Sequence, residues 1–218
     1  MRITWYGHAA FLVEAAGKRI IHDPFSPKSG FDPINEPADI LAMSQEDDTF
    51  HSHAESVLGN PVVLNGRHMP KEGVDVDGIH FDSVLVWEDV ARTKNPNGMI
   101  HYRADGISIA HMGDLGHPLN EAEIAPIRGV DVLLAIAGGV HTIALDALWD
   151  AINAMRPRLI IPMHYQTGKV RLNILPIEEF LSLTPPGWRT ERRETSTVDF
   201  ANEPLPEEPT ILVLRSAR

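Results

Sequence analysis

Gly106-Ile-Ser-Ile-Ala-His111-Met-Gly-Asp114 and Arg158-Leu-Ile-Ile-Pro-Met-His164 decide the fold when read together. Each is a short apolar run followed at once by polar, chemistry-bearing residues. Such runs read as buried strands. A carboxylate and an imidazole at strand ends of one α/β sheet can converge on one point, which is how a metal site is assembled from distant sequence. Glycines around Asp114 let the backbone turn tightly and let another group approach. From the local sequence alone, Asp114 can equally cap a turn and His164 can equally be a buried imidazole bonded to a carbonyl.

Outward from these motifs, the period of the chain changes. Arg2–Trp5, Ala10–Glu14, Arg19–His22, Ile40–Met43 and Pro61–Leu64 read as strands. Val74–Val90 reads as strands turning at Asp77-Gly78, and Met99–Arg103 with Gly106–Ala110 as a hairpin. The run 23–39 holds Pro24, Pro27, Pro33 and Pro37 and reads as a surface loop. Phe50–Leu58 can form one or two turns of helix, ended by Gly59-Asn60-Pro61, and His51 and His53 within it read mostly as solvent-facing. Further on, Asn120–Ile127 is expected to be a helix capped by Asn120, and Leu145–Met155 shows helical spacing. Leu159–Pro162 and Thr210–Leu214 read as strands, Ile177–Leu183 as a helix. Hairpins early and strand–helix units late suit two mixed sheets packed together with helices outside.

Composition narrows the function. The 218 residues are 43% hydrophobic and 22% charged, ordinary for a globular chain of one domain or two fused half-domains. A formal charge of −11 with no basic cluster argues against nucleic acid or an anionic membrane as partner. There are no cysteines, so disulfides, thiolate metal sites and cysteine nucleophiles are excluded. The N-terminus reads as a strand rather than a signal peptide, and no apolar stretch approaches the roughly 20 residues that span a bilayer. A cytoplasmic protein acting on a small molecule is the expectation, with homo-oligomerisation expected only on general grounds.

Together, Trp5-Tyr-Gly-His8-Ala-Ala-Phe-Leu12, Asp23-Pro24, His111-Met-Gly-Asp114, Ala137-Gly-Gly-Val-His-Thr142 and Ile161-Pro-Met-His-Tyr165 resemble the metallo-β-lactamase superfamily. Within it they look like the branch containing L-ascorbate-6-phosphate lactonase. The resemblance covers most of the chain, in order. It implies an α/β fold, a four-layer αββα sandwich over residues 1–218 as a single domain, with the site where loops of the two sheets meet. It also implies metal-activated water attacking an ester, lactone or phosphodiester, with zinc or manganese as metal.

The sequence departs from that family where ligands are expected. The His-x-His-x-Asp-His loop is replaced by Gln45-Glu46-Asp47-Asp48-Thr49-Phe50-His51, and only with one inserted residue does His51 take the last position. The family's mid-chain His-Asp-Glu corresponds to Trp87-Glu88-Asp89. Gln is a poor zinc ligand, so a dinuclear zinc centre is not expected. The expected metal set is Asp114, His164 and His51, with Asp47 or Asp48 as general base and His8 as substrate contact. His111 and His141 would support the ligands from behind, and His117 lies on a rim loop. With Asp47 and Asp48 beside that set the site would be harder and oxygen-rich, which suits manganese, magnesium or iron better than zinc, as a single ion or none. The leading reading is a metal-dependent hydrolase. A small-molecule binding protein without a metal centre is the alternative, and metal-free acid–base chemistry is the third.

Overall fold

The computed structural model describes residues 1–218 as two facing mixed sheets and three short helices. The first sheet has the order Thr197–Asp199, Arg2–Gly7, Ala10–Ala15, Lys18–His22, Ile40–Met43, Val62–Asn65. The second runs Arg189–Arg192, Thr210–Val213, Leu159–Met163, Val132–Ile136, Ile107–His111, Pro96–Ala104, Ile79–Trp87, Val74–Val76. Its centre is parallel, from Ile107–His111 through Val132–Ile136 to Leu159–Met163. Every residue of the last two strands is buried, and parallel strands covered on both faces read as continuous apolar runs.

The inner faces of the two sheets share one core of 51 buried residues, including Trp5, Phe11, Phe81, Leu134 and Ile161. A separate cluster of 11, around Tyr6, Phe25, Phe31 and Leu41, lies on the other face of the first sheet. No residue of the three helices belongs to it. Loop residues Phe25, Phe31, Val170 and Ile174 do the covering that the expected outer helical layer would have done there.

The helices Glu121–Ile124, Leu145–Met155 and Ile177–Ser182 lie where the periodicity puts them. Asn120 caps the first with a reciprocal capping box to Glu123. Of the one or two helical turns expected over Phe50–Leu58, only short pieces form. The chain makes one α-turn, with His51 N–H bonded to Asp47 O, then a 3-10 turn at Ala54–Ser56 and a two-residue strand paired with Glu36–Pro37. His51 is fully buried rather than solvent-facing, because its ring is drawn between two carboxylates. No helix is long and apolar enough to cross a membrane.

Candidate metal centre

Four side chains from four loops meet at one rim of the two sheets. His8 sits in the turn between the first two strands, His51 ends the loop after Ile40–Met43, and Asp114 follows Ile107–His111. His164 follows Leu159–Met163. Each offers one ligand atom, and these atoms lie within 4.8 Å of one another. The Asp114 carboxylate lies between two imidazoles: Oδ2 is 2.9 Å from His51 Nε2 and Oδ1 is 3.2 Å from His164 Nε2.

None of this reads as an ordinary hydrogen-bonded cluster. His51 Nε2, Asp114 Oδ1, His164 Nδ1 and both ring nitrogens of His8 are buried without an aligned partner. An unsatisfied buried polar group costs about 1–3 kcal/mol, so several side by side call for a common partner. Atoms that approach closely without hydrogen-bond alignment behave like donors aimed at a third point.

The backbone holds the donors rigidly. His8 and His164 both occupy the left-handed region, at φ 48° and 54°. The His8 carbonyl accepts from Trp5 Nε1 and from His164 N–H, each at 3.0 Å. Gly113 is also left-handed, and a Cβ there would lie 2.2 Å from Asn97 Oδ1. That oxygen accepts from Asp114 N–H at 3.0 Å, while Asn97 Nδ2 donates to Met112 O, so Asn97 fixes the turn that aims Asp114.

Behind the donors lies a second tier of polar groups. Asp23 Oδ2 lies 2.9 Å from His51 Nδ1 and also accepts from the Ser44 hydroxyl at 2.6 Å. A carboxylate on the far nitrogen of a ligating histidine fixes its tautomer and raises its basicity. His111 Nε2 donates to Ala9 O and its Nδ1 accepts from Gly113 N–H, so it is a neutral, structural imidazole. It bonds no donor side chain directly, but supports the turn before Asp114. His22 stacks on His111, with ring centroids 5.0 Å apart, and pairs with the Tyr102 hydroxyl at 2.9 Å.

Charge follows from this burial. Burial disfavours the His51 cation, but Asp114 and Asp23 outweigh it and hold its pKa well above the usual imidazole value. Burial likewise opposes ionisation of Asp114, yet His51 and His164 keep that carboxyl far below the ordinary range. Burial, then His164 and His51, push His8 well down, so it is neutral. Burial takes His22 down to about 3.

Gln45 bridges the cluster to open space. Its Nε2 donates to Asp114 Oδ2 at 3.0 Å, and it shares a cavity of about 400 Å³ with Glu46, Asp47, Arg67, Glu88, Asn95 and Pro96. Apart from Pro96, every side chain lining this chamber is polar or charged. Arg67 is engaged by Glu46 at 2.6 Å, whereas Glu88 has no ion pair. Burial and then Asp114 push the Glu88 carboxyl up. Glu88 is tied to the Asp114 loop: Gly116 N–H bonds Trp87 O, and a Cβ on Gly116 would lie 1.5 Å from Glu88 O. His117 Nε2 accepts from Trp87 N–H.

The structure brings together the expected metal set of Asp114, His164 and His51, and adds His8 to it. Asp47 lies on the chamber wall with Oδ1 accepting from Thr49 N–H. Asp48 points outward, 71% exposed and paired with His53. His141 is exposed on the rim, near enough to His164 to oppose its protonation. Glu88 was missed because Trp87-Glu88-Asp89 reads as a vanished histidine rather than as a carboxyl in its own right.

A model of the β-lactamase superfamily domain matches residues 2–164. A UPF0173 metal-dependent hydrolase of Pyrobaculum arsenaticum is 31% identical over 195 residues, covering 77% of this chain and 85% of that one. One of Opitutus terrae is 27% identical over 209 residues, covering 79% and 88%. A crystal structure from Thermotoga maritima, put forward as a Zn-dependent hydrolase of the metallo-β-lactamase superfamily, superposes with a TM-score of 0.78 at 29% identity. It covers 98% of this chain and 97% of that one.

Proposed function

The chain belongs to the metallo-β-lactamase superfamily, and from that premise we propose that it is a metal-dependent hydrolase of a small polar substrate. The observation that carries this reading is the buried knot of unpartnered donors at His8, His51, Asp114 and His164. Metal–donor bonds of about 2.0–2.2 Å at tetrahedral angles set donor atoms roughly 3.3–3.6 Å apart. The 2.9 and 3.2 Å approaches and the 4.8 Å outer limit bracket that spacing. Imidazole and carboxylate donors suit zinc, manganese or iron.

Asp114, His51 and His164 would hold the ion. A divalent ion, when bound, supplies Lewis acidity that polarises a scissile carbonyl or phosphoryl group and acidifies water. The chain's own residues do the rest. Asp23 holds a proton on His51 Nδ1, leaving Nε2 free to coordinate. Asn97 and Gly113 aim the Asp114 carboxylate. The chamber beside Gln45 admits a hydrophilic substrate, and Glu88, with its carboxyl pushed up by burial, can give or take a proton there. Esters, lactones and phosphodiesters are the substrate classes this reading puts forward. The active form is expected to lose its ion and all turnover in Asp114→Ala and His164→Ala while remaining folded. Metal analysis of untagged, chelator-free protein beside both variants tests this; no bound metal in the wild type, even after incubation with each cation, would overturn it.

A further inference from the structure

We infer that His8, delivered by the first hairpin, is a fourth ligand and that the centre takes one ion per chain. The inference deepens the metal-dependent reading and rests on it. His8 is 1% exposed, and neither ring nitrogen has a hydrogen-bond partner. A core histidine without a ligand role normally satisfies at least one nitrogen, as His111 does in the same layer with Ala9 O and Gly113 N–H. The His8 ring lies 4.0 Å from that of His164 and 5.2 Å from that of His51, centroid to centroid.

Its backbone leaves no freedom to turn away. Gly7 and His8 both have positive φ, and a Cβ on Gly7 would lie 2.5 Å from Phe31, so the turn is locked from outside. His164 N–H is bonded to His8 O, so the two imidazoles move as one unit. The chain therefore brings three imidazoles and one carboxylate to a single point.

The neighbouring space argues for one ion rather than two. Gln45 turns its Nε2–H toward Asp114, and a hydrogen-bond donor there meets a second cation poorly. Three imidazoles and a carboxylate would fill the four positions that zinc usually offers. That favours ions that accept five or six ligands, such as manganese or iron, over four-coordinate zinc.

The test uses His8→Asn, because Asn tolerates the left-handed backbone that His8 occupies. The full chain is loaded separately with Zn²⁺, Mn²⁺ and Co²⁺. Metal stoichiometry is read by mass spectrometry, affinity by competition with a chelator, and imidazole count by X-ray absorption. Wild type should hold one ion with three imidazoles, and His8→Asn two, with affinity down by more than the 10–100-fold expected from losing a supporting carboxylate. Asp23→Asn should fall within that range and keep three. An unchanged imidazole count in His8→Asn, or two ions per wild-type chain, would overturn the inference while leaving the hydrolase reading intact. Three imidazoles without turnover of chromogenic esters, lactones or phosphodiesters would overturn the hydrolase reading and leave this one standing.

Discussion

The metal cluster and the chamber beside it are neighbours built on opposite principles. The cluster is nitrogen-rich and sealed, with all four donors buried. The chamber is oxygen-rich and open, lined by Glu46, Asp47 and Glu88 with Arg67 among them. A single loop supplies both: residues 45–51 send His51 inward while Glu46 and Asp47 stay on the wet side. Gln45 forms the partition. The lesson is that a ligand loop can be rewritten by dividing its tasks, keeping coordination on the buried side and passing the acidic groups to the substrate side.

Glu88→Gln breaks the comparison most sharply. If the chamber carries proton transfer and the cluster carries the ion, this variant keeps full metal content and loses about a hundredfold in turnover, at the lower end of what a positioned acid–base group contributes. Metal loss would instead place Glu88 in the cluster. Steady-state kinetics beside metal analysis distinguishes the two.

A smaller effect sharpens the contrast through pH. His51 has its folded pKa raised by Asp114 and Asp23, so in metal-free protein it contributes stability that is complete below the ordinary imidazole value and fades as pH rises through the folded one. Asp114 has its folded pKa depressed, so its contribution holds above the ordinary carboxylate value and is lost on acidification. The metal-free protein should therefore lose stability on the alkaline side, by up to about 1.4 kcal/mol per pH unit for one proton. Bound metal, taking the proton's place on His51, should remove that slope. Melting curves across pH with and without metal measure it.

The smallest expected effect is none. The Asp48 side chain pairs with His53 and is mostly exposed. Asp48→Ala should leave metal content and turnover unchanged and stability within about 0.5 kcal/mol.

Much of this was legible in the sequence. The two buried runs before Asp114 and His164 marked strands whose ends converge, and Asn120 and the spacing of Leu145–Met155 marked helices, because those signals are local. The strands Arg189–Arg192 and Thr197–Asp199 were not, since they are short and polar and exist through pairing with Thr210–Val213 and Arg2–Gly7. Only short helical pieces form over Phe50–Leu58, where His51 is instead drawn inward between Asp23 and Asp114. Two adjacent acids drew attention to Asp47 and Asp48, although charge on an exposed turn says little about which way a carboxylate points. His8 read as a contact at the mouth because nothing local shows that both its nitrogens are left without partners.

The bond from His164 N–H to His8 O joins residues 156 positions apart, one in the first hairpin and one just after the buried strand Leu159–Met163. The cluster is thus a clasp between the two sheets, and cannot exist until both have docked. An ion held there would act as a seal on the finished topology, slowing the opening of the seam between the sheets and turning metal supply into a check on folding.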